Sequence, residues 1–140
     1  MTLGRAAFKR AIFVLLQEVA REHPLGHQDS KAARFVLTSR DGTDLEIMFE
    51  KKEDDPPNIW FLEKAADASL TASVSNEQSP ASSLWRKLGK DGKPSYGRHS
   101  VLKTMRQLAD ADLVCFKPET FEQVGQIIDR LLSVTAADLR

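Results

Sequence analysis

RFVLTSRDGTDLEIMFEKK, residues 34–52, alternates apolar and polar side chains on both sides of Asp41-Gly42. Successive residues of an extended strand face opposite sides. Phe35 and Leu37 therefore share one face of a first strand over 34–39, and Leu45, Ile47 and Phe49 share the same face of a return strand over 43–51. Asp44, Glu46, Met48 and Glu50 are expected to face outward. Asp-Gly supplies the turn chemistry of a tight hairpin between the two. KEDDPP, residues 52–57, is a charged turn closed by two prolines, and residues 58–64 read as a third strand with apolar side chains on both faces. The expectation is a three-stranded antiparallel meander whose apolar face needs a cover.

Upstream, Phe8, Ile12, Leu15, Leu16 and Val19 recur at helical spacing, which predicts a helix over 5–22 that ends at His23-Pro24, because the residue before a proline is pushed out of the helical region. Arg5, Lys9 and Arg10 near its start and Glu18 and Glu22 near its end run against the helix macrodipole, so these charges are either simply solvated or wanted there by a partner. Residues 23–33 read as a loop. Downstream, 65–83 is rich in Ala and Ser, and 70–74 reads as a fourth strand or a mobile connection. Ser79-Pro80 predicts the start of a short helix through Leu84, Trp85 and Leu88 that stops at Gly89. Residues 89–99 form a glycine-bearing loop, and Ser100 is expected to cap a helix with Val101, Leu102, Met105 and Leu108 on its apolar face. Residues 112–116 read as a short buried strand. Thr120 and Gln123 form a capping box for a last helix that buries Phe121, Val124, Ile127, Ile128, Leu131 and Leu132. The chain is thus read as a single α+β domain over 1–140: an N-terminal helix, the meander, a helical pair, a further short strand and a C-terminal helix packed on the sheet.

The 140 residues suffice for a self-supporting core. The one cysteine, Cys115, lies in the apolar run 113–116 and reads as a small buried hydrophobe of a reducing compartment. The apolar run 11–16 is too short to span a bilayer and continues as an amphipathic pattern, so a cytoplasmic protein without a membrane partner is expected. Twenty cations balance twenty acids, which argues against a general nucleic-acid binder. The charge is segregated, however: residues 35–79 carry four cations and ten acids, and residues 83–107 carry seven and one. An electrostatic dipole is expected.

Residues 83–107, SLWRKLGKDGKPSYGRHSVLKTMRQ, carry the favoured site. Arg86, Lys87, Lys90, Lys93, Arg98, Lys103 and Arg106 surround a loop that enters the helix expected at Ser100, where free backbone N–H groups favour an anion. Gly97-Arg98-His99 leads into that terminus, with Arg98 as a bidentate fork and Tyr96 and Trp85 as stacking faces for a base. The functional expectation is a non-catalytic binding domain that uses residues 85–106 to engage an anionic partner, nucleic acid ahead of another phosphate-bearing ligand. Against it stands the possibility that these cations pair with the acidic segment 41–55 or are merely solvated, with Trp85 in the core. The alternative is a protein-interaction or inhibitor-like module in which Asp41, Asp44, Glu46, Glu50, Glu53, Asp54 and Asp55 engage a basic partner protein.

A third possibility comes from element order, which resembles the common core of PD-(D/E)XK nucleases, where a hairpin carries an acidic residue and then Glu-x-Lys. That resemblance implies carboxylates holding a divalent metal and a lysine supporting the attacking water. Asp44 with Glu50-Lys51-Lys52 matches superficially, but both carboxylates lie on one strand instead of two, and Glu63-Lys64 lacks the spacing. His23 and His27 are separated by Pro24 and Gly26, which prevents a helical turn from aiming both at one metal. His99 has no nucleophile or orienting acid nearby in sequence, and no cofactor or metal set is expected.

Overall fold

The computed structural model describes residues 4–28 and 31–140. It is an α+β fold built on one six-stranded sheet in which every paired neighbour is antiparallel. The central hairpin forms as its alternation dictates: β2 (Ala32–Thr38) pairs with β3 (Asp44–Glu50) in a register running from Ala32 opposite Glu50 to Thr38 opposite Asp44. The connection is wider than a two-residue turn. Asp41 organises it, accepting from the Ser39 and Thr43 hydroxyls at 2.7 and 2.6 Å, while Gly42 takes a positive φ of 90°. Those hydrogen bonds, with a third from the Ala136 N–H, hold the Asp41 carboxyl down at about 2. β4 (Ile59–Leu62) extends the meander, β6 (Leu113–Phe116) adds beside β4, and β5 (Asn76–Ser79) closes the far edge beside β6.

The first helix, α1 (Arg5–Val19), stops three residues before the position predicted from His23-Pro24. Ala20 is already extended, and β1 (Arg21–Glu22) pairs with Val36 and Phe35, so the chain leaves the helix to cover the outer edge of β2. The cations early in α1 have a use inside the fold. Lys9 is buried, donates to the carbonyls of Lys52 and Asp55, and is pushed down in pKa by its desolvation; Arg5 donates to the Asp54 carbonyl. They close the charged turn before Pro56-Pro57.

Residues 70–74 are not a strand. α2 (Ala68–Ser73) takes up residues 70–73 and leaves Val74 as its extended C-cap; it is capped at its start by Asp67, whose carboxylate accepts the Leu70 N–H at 2.8 Å. The additional strand is β5 instead, whose sequence Asn-Glu-Gln-Ser has no apolar alternation and is held by its ladder to β6. α3 (Phe121–Ser133) begins at Thr120 as expected, with the threonine hydroxyl accepting the Gln123 N–H. The return bond of the box goes elsewhere, because Gln123 Oε1 takes the N–H of Glu119.

Both faces of the sheet are covered. On one, Ile12 and Leu16 of α1 and Val124, Ile127, Ile128 and Leu131 of α3 pack on Phe35, Leu37, Leu45, Ile47, Phe49, Phe61 and Phe116. Phe121, expected in this core, is 45% exposed, and Leu132 packs only at its margin. On the other face Ala32, Met48 and Leu113 meet Val101, Leu102, Met105 and Leu108, with Trp60 and Tyr96 at the side. Met48, expected to face solvent, is therefore fully buried. The cover here is no α-helix: Ser100–Thr104 form a 3-10 turn capped by His99 Nδ1, which accepts the Val101 N–H, so Ser100 is not the cap. The helix predicted after Pro80 is likewise reduced to a 3-10 turn, Ala81–Ser83, without a side-chain cap, since Ser79 belongs to β5. Among the described residues, no helix is long and apolar enough to cross a membrane.

Candidate functional site

Residues 80–111 form a strap that leaves the β5 edge, makes a short exposed ribbon and returns across the second face of the sheet. The ribbon is closed by one bridge between Leu88 and Pro94, with a turn at Gly92, whose φ is 77°. Asp91 accepts the Lys93 N–H, and Ser95 N–H donates to the Lys87 carbonyl, so the loop predicted over 89–99 has internal order. Gly97 then passes so close to Leu84 that a Cβ on it would lie 2.9 Å from the Leu84 carbonyl oxygen, to which the Gly97 N–H donates.

Arg98 is the main fastener. Its guanidinium reaches the hydroxyl and carbonyl oxygens of Ser79 and the carbonyls of Leu108, Ala109 and Ala111, tying the strap to itself and to β5. Five acceptors leave no fork for an external anion, which corrects the bidentate role expected of this residue. Tyr96 also turns inward, donating its hydroxyl to the Ala109 carbonyl at 2.8 Å; burial pushes its pKa up against the opposing pull of Arg98. His99 caps the 3-10 turn, and Ser100 is its exposed first residue. A turn of five residues lacks the macrodipole of a long helix, so the helix-terminus argument for an anion at Ser100 lapses. At the far end, Gln107 and Glu46 clasp each other: the Gln107 N–H donates to the Glu46 carboxylate at 2.6 Å, and Gln107 Oε1 accepts the Glu46 N–H at 2.8 Å.

The other six cations face water. Arg86, Lys87, Lys90, Lys93, Lys103 and Arg106 are all exposed, and among the described residues none has a carboxylate within 4.0 Å. Trp85 stands in their midst, 48% exposed, with the Lys103 ammonium 5.9 Å from its ring and the Tyr96 ring 5.7 Å away at 63°. It is not a core residue. Leu88, at 63%, adds exposed apolar surface beside Lys87. Arg106 lines a cleft of about 480 Å³ with Arg21, His23, Pro24 and Val36 and with the acids Asp44 and Glu46.

Of the seven acids of the hairpin segment, Asp41, Asp44, Glu46 and Glu50 are occupied within the fold, whereas no side-chain bond engages the carboxylates of Glu53, Asp54 and Asp55 among the described residues. Asp44 bonds Arg21 at 3.0 Å and the Thr38 hydroxyl; Glu46 takes His23 Nε2 as well as Gln107; Glu50 accepts from Asn58 and from the Trp60 indole N–H at 2.9 Å. Asp44 and Glu50 stand at opposite ends of β3, about 20 Å apart for a strand of this rise, so they cannot share one metal ion. Among the described residues, no group of three or more His, Cys, Asp and Glu side chains is placed to hold a metal. His27 packs edge-on against Phe13 and is tilted against Phe35, and burial lowers its pKa. Cys115 is buried, its thiol pushed up to about 12 by desolvation.

The sequence matches no protein-family model, and no curated protein or solved structure is significantly similar to it. Function therefore rests on the site alone. Reading the sequence missed Ser79, Glu46 and Gln107 as anchors of the strap. Their only signal is polar residue type, which an exposed residue shares.

Proposed function

We propose that this chain is a non-catalytic cytoplasmic binding domain that engages an anionic partner, nucleic acid ahead of other phosphate-bearing ligands, through the outer surface of the strap. The observation that supports it most is the partnerless state, among the described residues, of Arg86, Lys87, Lys90, Lys93, Lys103 and Arg106. Cations that outnumber the acids around them and are not paired to them raise the local concentration of a polyanion, and each phosphate neutralised releases counterions. The hairpin module receives less support, because four of its seven acids, Asp41, Asp44, Glu46 and Glu50, are bonded within the fold, which leaves it Glu53, Asp54 and Asp55. A buried, high-pKa thiol suits a reducing interior.

The test is fluorescence anisotropy with labelled oligonucleotides over a salt series. The log of affinity should fall with log salt at a slope between about −2 and −4, corresponding to three to six phosphates at roughly 0.7 each. The combined Lys87→Gln, Lys90→Gln and Lys93→Gln variant should flatten that slope. Undetectable binding at low salt, or a slope indifferent to these changes, defeats the proposal.

A further inference from the structure

We infer that the ligand of this surface is single-stranded nucleic acid, held by stacking an unpaired base on Trp85. The inference rests on the charge reading above and adds to it the form of the ligand. Cations alone attract any polyanion, duplex included; what distinguishes the forms is which groups the surface presents between the cations. Here it presents an indole. Trp85 is 48% exposed, and its neighbours hold it in place: Lys103 lies 5.9 Å from the ring centroid and Tyr96 meets it at 63°. Tyr96 is itself fixed by its hydroxyl bond to Ala109 and by packing on the second core. This half-exposed indole, followed in sequence by Arg86 and Lys87 and with Lys103 over its ring, is the surface on which an unpaired base would stack while phosphates on either side meet cations.

A duplex hides its base faces in the stack and is read through its grooves, for which the usual probes are an α-helix or a two-stranded ribbon. The strap supplies neither at adequate length. Its helical turns are Ala81–Ser83 and Ser100–Thr104, and its ribbon is closed by a single bridge. An unpaired base needs only the indole. Leu88, 63% exposed, extends the apolar surface next to it.

The experiment compares a single strand of about 20 nucleotides with the duplex of the same sequence, reading anisotropy and tryptophan fluorescence together. The single strand should bind at least about tenfold more tightly and quench the fluorescence. Trp85→Ala should weaken single-strand binding by about fivefold or more, as loss of one stacked base implies, and leave the weaker, salt-driven duplex binding unchanged, which shows that the strap is still folded. Trp85→Phe should restore most of the affinity while abolishing the quench, since Trp60 is the only other tryptophan and sits against the second core. Equal binding of both forms without quenching overturns the stacking inference and leaves the charge reading standing. No binding of either form overturns both.

Discussion

Arg98 shares its neighbourhood in sequence with six other cations, yet its guanidinium is committed to backbone carbonyls of Leu108, Ala109, Ala111 and Ser79. Charge-assisted bonds of this kind are worth more than neutral ones, and a lost partner leaves carbonyls without a donor. Arg98→Ala should therefore cost about 2 to 4 kcal/mol in urea denaturation. Arg98→Lys should recover little, because one ammonium on a flexible stem cannot span acceptors that a planar fork reaches together. Neither change should alter the salt slope of nucleic-acid binding in protein that remains folded. A steeper loss of slope than of stability would show that Arg98 faces the ligand after all. The sequence cannot separate this residue from Arg86 or Lys103, because direction is set by where Ser79 and the 108–111 carbonyls arrive, contacts remote along the chain. Trp85 posed the same ambiguity between core and surface, resolved only by the place that Tyr96 and Lys103 take beside it.

Elements whose periodicity comes from a buried face were legible. β2, β3 and α3 follow alternation or helical spacing because each sets its apolar repeat on the first core, and β4 and β6, apolar on both faces, stand out as short apolar runs. Elements held by hydrogen bonds alone were not: β5 is polar throughout, and its edge position depends on β6, more than thirty residues later. The strap misled for a related reason. Val101, Leu102, Met105 and Leu108 have helical spacing, but all four must lie on a flat sheet, and a 3-10 turn followed by extended Met105 achieves this. Such a segment, fastened mainly at Arg98 and at Glu46–Gln107, should open separately from the hairpin beneath it. Glu46→Ala removes the acceptor of the Gln107 N–H. Amide exchange at Leu102, Met105, Leu108 and Ala109 should then accelerate by at least about tenfold relative to Leu37 and Ile47, the equivalent of 1.4 kcal/mol of local stability. A uniform increase across all these amides would mean that strap and sheet unfold together.

Net charge conceals the polarity of the whole molecule. The twenty cations and twenty acids cancel formally, and the isoelectric point near 6.8 suggests no affinity for polyanions at neutral pH. The structure spends the two signs differently. Asp44, Glu46 and Glu50 of the hairpin are bonded by Arg21, His23, Gln107, Asn58 and Trp60, while Glu53 and Asp54 at its turn and six cations of the strap remain in water. With a screening length of about 10 Å at 0.1 M salt, a polyanion touching the strap senses those cations and little of the acid elsewhere. The protein should thus be retained by a cation-exchange matrix at pH 7.5 and roughly 50 mM salt, above its isoelectric point, where net charge predicts flow-through. Replacing Lys87, Lys90 and Lys93 by Gln should move elution to clearly lower salt, while Glu53→Gln and Asp54→Asn on the opposing turn should shift it little. Flow-through of the unaltered protein would mean that the two charge regions neutralise each other at the distance of a ligand, and the strap would then lose its claim to a polyanion.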